Sequence, residues 1–259
     1  MSASLVLWQK QMKKSLVHSE EIVGTLIQPI LWVVLFGAGM RSLMGAVGPG
    51  EGDGYMTFVL PGIVALTVVG GAIGGGSAWL NERLMGIVKE YLVAPIPRLS
   101  ILMGNALSIT TKVLIQSIII MLVGILMGAD LSANPLGWLG GFLLIAGYGI
   151  GFSGIAIAVA SKTDSSEGYH MMIFMLQLPL LFWSNSLYPL ATLPTWMRVG
   201  AMLNPTTYVV TGLRAITMAP SADVADVDTI AIWICFVVIA AFAASGMGLA
   251  LRAFKSAIK

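Results

Sequence analysis

The sequence predicts an all-α membrane protein: six transmembrane helices, an N-terminal amphipathic interfacial helix, and short external re-entrant helices before the last span. Three observations predict it. Hydrophobic residues make up 57% of the 259 and charged residues only 10%, whereas a soluble domain carries about 25% charged residues to keep its surface wet. Six stretches reach the length of about 20 mostly apolar residues that a helix needs to cross about 30 Å of hydrocarbon. Lysine and arginine fall unequally on the two sides of those stretches, as they do in membrane proteins of fixed orientation.

Residues 1–21 place Leu5, Trp8, Met12 and Leu16 on one helical face, with Gln9, Lys10, Lys13 and Lys14 largely opposite. That pattern suits a helix lying on the inner leaflet. The first apolar run, about 22–43, is not followed by a small-residue cleavage site, so it is expected to remain as an anchor. Further spans are expected at about 57–80, 105–128, 137–160, 169–190 and 230–251. They are expected as helices, because a backbone in lipid must satisfy its own hydrogen bonds. Residues 81–104 form a loop of mixed charge. Residues 191–217 stay apolar but are broken by Pro194 and Asn204-Pro205, as in a segment that dips partway into the membrane, leaving 218–229 exposed. Residues 1–259 thus read as one membrane domain.

An even number of spans puts both termini on one side. That side holds Lys10, Lys13, Lys14, Arg83, Lys89, Arg98, Lys112, Lys162, Arg252, Lys255 and Lys259; the other holds only Arg41, Arg198 and Arg214. Both termini are therefore expected in the cytoplasm. Lys112, early in the third span, is expected to snorkel to the cytoplasmic interface, with a buried functional lysine the alternative. The net charge of +2 says nothing of nucleic acid. The single cysteine, Cys235, excludes an intrachain disulfide.

Motifs of soluble enzymes fail on context. Gly149-Ile-Gly151-Phe-Ser-Gly154 fits G-x-G-x-x-G, a pattern with meaning only between a strand and a helix; inside an apolar span such glycines let helices approach. Gly70, Gly71, Gly74, Gly75 and Gly76 repeat that spacing in the second span, as a tight contact or a hinge. No G-x-x-x-x-G-K-[ST] occurs, so the chain carries no phosphate-gripping P-loop. Gly151-Phe-Ser153-Gly154 also resembles the G-x-S-G of rhomboid-type intramembrane serine proteases. A serine nucleophile needs a base within reach, and the only histidines are His18 and His170, the latter roughly 10 Å away in depth at 1.5 Å rise per residue. Two histidines and one cysteine far apart make a poor metal site, and none is expected.

The loop after the second span is more specific. Asn81-Glu82-Arg83-Leu-Met-Gly86-Ile87-Val-Lys89-Glu90-Tyr-Leu92-Val-Ala94-Pro95-Ile96-Pro97-Arg98 closely resembles the signature after the second helix of ABC-2-type permeases, particularly the daunorubicin-resistance-like drug-exporter branch. Gln28-Pro29-Ile30-Leu-Trp32-Val-Val-Leu-Phe36-Gly37 resembles that family's first helix. Leu193-Pro194-Thr-Trp196-Met197, with Asn204-Pro205-Thr-Thr-Tyr208 and Leu213-Arg214, resembles the segment before its last. The likeness runs through nearly the whole chain in the right order.

The resemblance implies a transport subunit, not an enzyme, in the cytoplasmic (inner) membrane of a prokaryote. Two six-helix halves, two copies or this chain with a similar permease, would work with separate ATPase subunits that hold ATP and Mg; this chain would bind no cofactor. Residues near Glu82–Glu90 would form a short coupling helix on the ATPase, ended by Pro95 and Pro97 because proline cannot continue the helical ladder. Glu82, Arg83, Gly86, Lys89, Glu90, Pro95 and Arg98 are its candidate residues. Pro194, Trp196, Asn204, Pro205, Tyr208 and Arg214 would close the external end. Met171, Phe174 and Met175 are candidate pathway residues, with core packing the alternative for each. The expected cargo is a hydrophobic or amphipathic small molecule, a drug-like compound or a lipid. A polysaccharide, a lipid-linked glycan or an ion is the alternative within the same architecture.

Overall fold

A computed structural model describes residues 3–17, 24–35, 39, 53–93, 96–190, 193–218 and 230–256, and the architecture is stated for these. The elements are α1 (Ala3–Val17), α2 (Gly24–Leu35), α3 (Asp53–Leu84), α4 (Ile87–Val93), α5 (Arg98–Leu126), α6 (Pro135–Ala160), α7 (Ser166–Phe182), α8 (Thr195–Leu203), α9 (Pro205–Thr217) and α10 (Ile232–Ser256). Among the described residues there is no strand, only an isolated bridge between Leu131 and Met218. The chain is all-α.

Four helices are long and apolar enough to cross a membrane: α3, α5, α6 and α10. Of the other two expected spans, the first is described only in part and the fifth is shorter. The described part of the first is α2, at Gly24–Leu35; the rest of that span, and the 219–229 stretch, lie outside the described residues. The fifth stops at Phe182 rather than running on to 190. Pro179 lies inside its last turn, the Ser184 hydroxyl donates to Leu181 O at 2.8 Å and the Tyr188 hydroxyl to Phe182 O, so local bonds turn the chain where apolarity alone would carry a helix onward.

The bundle centres on α3 and α6, whose neighbours are α5, α9 and α10. Small residues set the spacing. A methyl group on Gly75 would collide with Ile109 of α5, one on Gly76 with Ala156 of α6, and one on Gly151 with Phe242 of α10. Gly154 and Gly246 meet backbone to backbone across the α6–α10 seam. Ser153 is fully buried and its hydroxyl donates to Ile150 O at 2.8 Å, so the G-x-S-G stretch is packing. In α3 the glycines divide: Gly71 and Gly75 face α5, Gly76 faces α6, and Gly70 and Gly74 face open space.

One end of the bundle carries α1, α4 and the C-termini of α3, α6 and α10; the other carries α8, α9 and the N-termini of α3 and α6. Trp79 of α3 stacks 5.7 Å from Phe254 of α10 and donates to Ser161 Oγ at 3.2 Å, which ties the first end together. α1 lies along α5, with Leu7 against Gly104, Trp8 donating to Thr111 Oγ1 at 3.0 Å, and the Ser108 hydroxyl 3.9 Å from Met12 Sδ. Its inward face runs through Leu7, Gln11 and Ser15 rather than Leu5, which is 44% exposed. Three consecutive inward positions four apart follow the helical period.

Candidate functional site

The charged loop after α3 resolves into two parts with different duties. Asn81-Glu82-Arg83-Leu84 finishes α3, and Gly86, at φ +81°, ends it. That left-handed backbone is one a side chain rarely adopts. The short helix is α4, Ile87–Val93, so it begins five residues after Glu82. Pro97 precedes α5 with φ −60° and ψ 131°; Pro95 and the Lys89 side chain lie outside the described residues.

Glu82, expected on a docking surface, points inward and is 3% exposed. Gln11 Nε2 donates to its Oε1 at 3.0 Å, and Lys14 Nζ stands 3.7 Å from the same oxygen. The Lys10 ammonium caps Tyr91 of α4, bonding its hydroxyl and lying 4.9 Å from its ring centre. Arg83 reaches across to the end of α6, donating to Ser161 O, to Thr163 O at 2.6 Å and to Asp164 Oδ1 at 2.7 Å. Ser161 caps the C-terminus of α6, where a carbonyl lacks a partner within the helix and a cation is favoured, and Thr163 lies just beyond it. Glu82 and Arg83 thus fasten α1, α3 and α6 to one another. Outside them, α4 inserts Val88 into the core and leaves Glu90 exposed. Met85 and Val93 stand 76% and 88% exposed beside it. Arg98, at the start of α5, is exposed as well.

The opposite end is a buried polar knot. Pro194 precedes α8, and Asn204 caps α9 by accepting from Thr206 N at 2.9 Å while Pro205 fills the first helical position. Asn204 Nδ2 also donates to Leu180 O at 2.9 Å and Trp183 O at 2.6 Å, which ties α9 to the end of α7. The Tyr148 and Thr206 hydroxyls lie 2.7 Å apart, and Tyr208 donates to Met202 O at 2.7 Å. Arg214 is 1% exposed. Its Nε donates to Phe58 O at 3.1 Å, one terminal nitrogen donates to Asn185 O at 2.7 Å, and the guanidinium lies 3.6 Å from the centre of the Phe58 ring. Of the residues expected to close this end, Asn204 and Arg214 are interior fasteners, whereas Trp196 is 67% exposed.

Between the ends, α2, α3 and α7, with α5 at one of them, border two adjoining open clefts. One, about 370 Å³, is lined by Lys112, Gln116, His170, Ser77, Asn81 and Thr25 together with Gly71, Gly74 and Gly75. The other, about 260 Å³, shares Thr25 and is lined by Gln28, Trp32, Ile63, Leu66, Thr67, Gly70, Phe174, Gln177, Leu178 and Leu181. Gln116 Nε2 donates to Thr25 Oγ1 at 2.6 Å, whereas its buried Oε1 has no hydrogen-bond partner among the described residues; a buried acceptor left so costs about 1–3 kcal/mol. Phe174 therefore belongs to a cleft. Met171 and Met175 line neither, and stand 63% and 62% exposed on the outer face of α7. The sequence marks Lys112, whose alternative to snorkelling is a buried functional lysine, but does not mark Gln116 as a site. Polar residues inside a predicted span were the available signal.

A family model for the ABC-2 type transporter matches residues 3–218, which run from α1 through α9. The chain belongs to the ABC-2 type transporter family. The ABC-2 resemblance of the loop and flanking helices is thereby shown. The ycf38 transport permease of Cyanophora paradoxa is 32% identical over 197 residues, 74% of this chain and 66% of that protein. The daunorubicin resistance ABC transporter permease protein DrrB1 of Streptomyces coeruleorubidus is 25% identical over 197 residues, 75% of this chain and 67% of its own length. The inner membrane transport permease YadH of Escherichia coli (strain K12) is 23% identical over 218 residues, covering 83% and 84%. The chain thus spans about two thirds of the first two relatives. As an ABC-2 family member it sets aside the rhomboid-type reading of Ser153.

Proposed function

We propose that this chain is the permease subunit of an ATP-driven exporter, moving a hydrophobic or amphipathic small molecule outward across the cytoplasmic membrane. Energy comes from a separate ATPase subunit that holds ATP and Mg. The chain crosses six times, with α2 and α7 completing the set begun by α3, α5, α6 and α10. The end carrying α1 and α4 faces the cytoplasm, as its cations Lys10, Lys14, Arg83, Arg98, Lys162, Arg252 and Lys255 favour. The exposed apolar faces of α2 and α7, with Leu31, Leu35, Met171 and Met175, meet lipid or a second permease copy.

The observation that carries the coupling part is α4. A seven-residue helix stands at the cation-rich end, anchored by Val88 and by the Lys10–Tyr91 contact, with Met85, Glu90 and Val93 outward. Mixed apolar and charged exposure on a short rigid element suits a specific docking surface. Glu82 and Arg83 stand behind it and transmit its displacement to α1, α3 and α6; α3 in turn walls both clefts. A partner shifts such a bundle between states only through differential affinity for them.

Co-expression with the cognate ATPase tests this reading. Met85→Asp combined with Val93→Asp is expected to abolish co-purification and ATP-driven transport while leaving the melting temperature of the isolated chain unchanged, since both side chains are exposed. Unchanged co-purification and transport would remove α4 as the docking element. Nucleotide-driven pumping by this chain alone in vesicles would overturn the subunit reading itself.

A further inference from the structure

On the far side of the bundle from the two clefts, α6, α7 and α10 border an open groove of about 510 Å³. Its walls include Ile155 and Val159 of α6, Met172 of α7 and Leu249 of α10, and every residue lining it is apolar apart from Lys162 and Arg252. A furrow of about 430 Å³ continues along α10, sharing Leu249 and Arg252 and running past Gly248 to Ala244. Residues 244, 248 and 252 stand four apart and so share one helical face. A methyl group on Gly248 would meet nothing within 4 Å, and the Ser245 hydroxyl beside it is turned back to Phe242 O at 2.8 Å. The furrow therefore offers room and little polarity. Arg252 lies about one turn from the end of α10, and Ala244 is eight residues, about 12 Å of helix, deeper. Cations at the α1 end with an apolar trough leading away from them match the order of head and tail in a lipid of that leaflet.

A cation near a helix C-terminus is favoured by the helix dipole, which would account for one solvated lysine or arginine by itself. Here two cations from different helices, both exposed, line one apolar groove. The acid nearest Lys162 in the sequence, Asp164, is held by Arg83 at 2.7 Å, and among the described residues no ion pair occupies Lys162 or Arg252. Glu167, exposed in the first turn of α7, lines neither the groove nor the furrow. We propose that the groove holds one anionic diacyl phospholipid of the leaflet at the α1 end, its phosphate between Lys162 and Arg252 and an acyl chain in the furrow past Gly248. Basic pockets between membrane helices take anionic head groups in this way, through charge-assisted bonds to the phosphate oxygens. A zwitterionic head brings its own ammonium, which the two protein cations repel. The inference rests on α6 and α10 lying in the membrane and not on the exporter reading; the lipid is a bound partner of the bundle rather than its cargo.

Native mass spectrometry of the full chain in neutral detergent reads the affinity of the first lipid bound. Dioleoyl phosphatidylglycerol is expected to bind about thirtyfold more tightly than dioleoyl phosphatidylcholine, from about fivefold for each basic side chain at a membrane surface. Lys162→Gln and Arg252→Gln should each cut that preference about fivefold, and the double variant should abolish it. Lys255→Gln removes a cation from the last turn of α10 that lines neither groove nor furrow, and should keep the preference. Gly248→Phe, which fills the furrow, should weaken both lipids alike at an unchanged melting temperature. Because the preference is a ratio within one variant, misfolding does not imitate its loss. Equal affinities in the wild type would overturn the proposal, and so would a loss in Lys255→Gln as large as in Lys162→Gln, which would make the attraction a diffuse property of this end. Displacement by glycerol 1-phosphate as effective as by the lipid would make the groove a free-phosphate site instead. A change from dimer to monomer in Gly248→Phe with both lipid affinities intact would make it a seam between copies, and either result overturns the proposal. Failure here leaves the ATP-driven transport test untouched, and the reverse also holds.

Discussion

Gly246 and Gly248 lie two residues apart on α10, and alanine should act oppositely at them. A methyl on Gly246 would stand 2.9 Å from both the Cα and the carbonyl carbon of Gly151, and closer still to the carbonyl oxygen. Ordinary contact begins at 3.4 Å, so α6 and α10 must part by at least about 0.5 Å, a gap that forfeits a quarter or more of each dispersion contact along the seam. Phe242, whose ring centre lies 5.0 Å from that of Phe152 and 6.0 Å from that of Tyr148, would lose packing too. Overpacking of this kind costs about 1–3 kcal/mol, offset by up to about 1 kcal/mol because alanine outranks glycine as a helix former. At Gly248 nothing lies within 4 Å, so only the favourable contribution remains. Melting in detergent, followed as the monodisperse fraction left after heating, should show Gly246→Ala up to about 8 °C below the wild type, by the usual shift of about 2–4 °C per kcal/mol for a chain of this size. Gly248→Ala should be neutral or slightly more stable. Equal melting of the two variants would refute the close α6–α10 approach as the basis of their packing.

The remaining predictions concern the two ends. Arg83→Met should lower stability by about 1–3 kcal/mol, through the lost charge-assisted bonds to Ser161 O and Thr163 O. Asp164→Ala should cost less than about 1 kcal/mol, since its side chain is 94% exposed; the same melting assay decides, and equal losses would show that the carboxylate rather than the carbonyls holds Arg83. Arg214→Met should cost about 2–4 kcal/mol, because two buried carbonyls lose their donor and Phe58 its cation. Arg214→Lys should restore little of it, as a lysine cannot present a planar fork to Phe58 O and Asn185 O together. Full recovery with lysine would reduce Arg214 to a simple point charge.

Much of the site was legible because it is local. The proline of Asn204-Pro205 suits a first helical position, and the asparagine before it can cap a helix, so the start of α9 follows from two residues. Gly86 ends α3 by the same short-range logic, since few side chains tolerate φ +81°. The docking duty given to Glu82 illustrates the limit. Its charge reads as surface, yet Gln11 and Lys14, more than sixty residues earlier, receive it. The Lys112–Gln116–His170 cleft is likewise assembled from α5 and α7 around the glycine face of α3.

The sequence by itself determined the solvent, the helical class and the local breaks, because apolar length and backbone stereochemistry act over a few neighbouring residues and need no fold to operate. Only the tertiary structure decided which charges face inward, and which glycines touch a neighbouring helix and which border open space. Those outcomes depend on helices far apart in the chain, and in lipid, where one apolar face is as well solvated as another, helix contact is settled by close fit and by the few polar groups that must find each other.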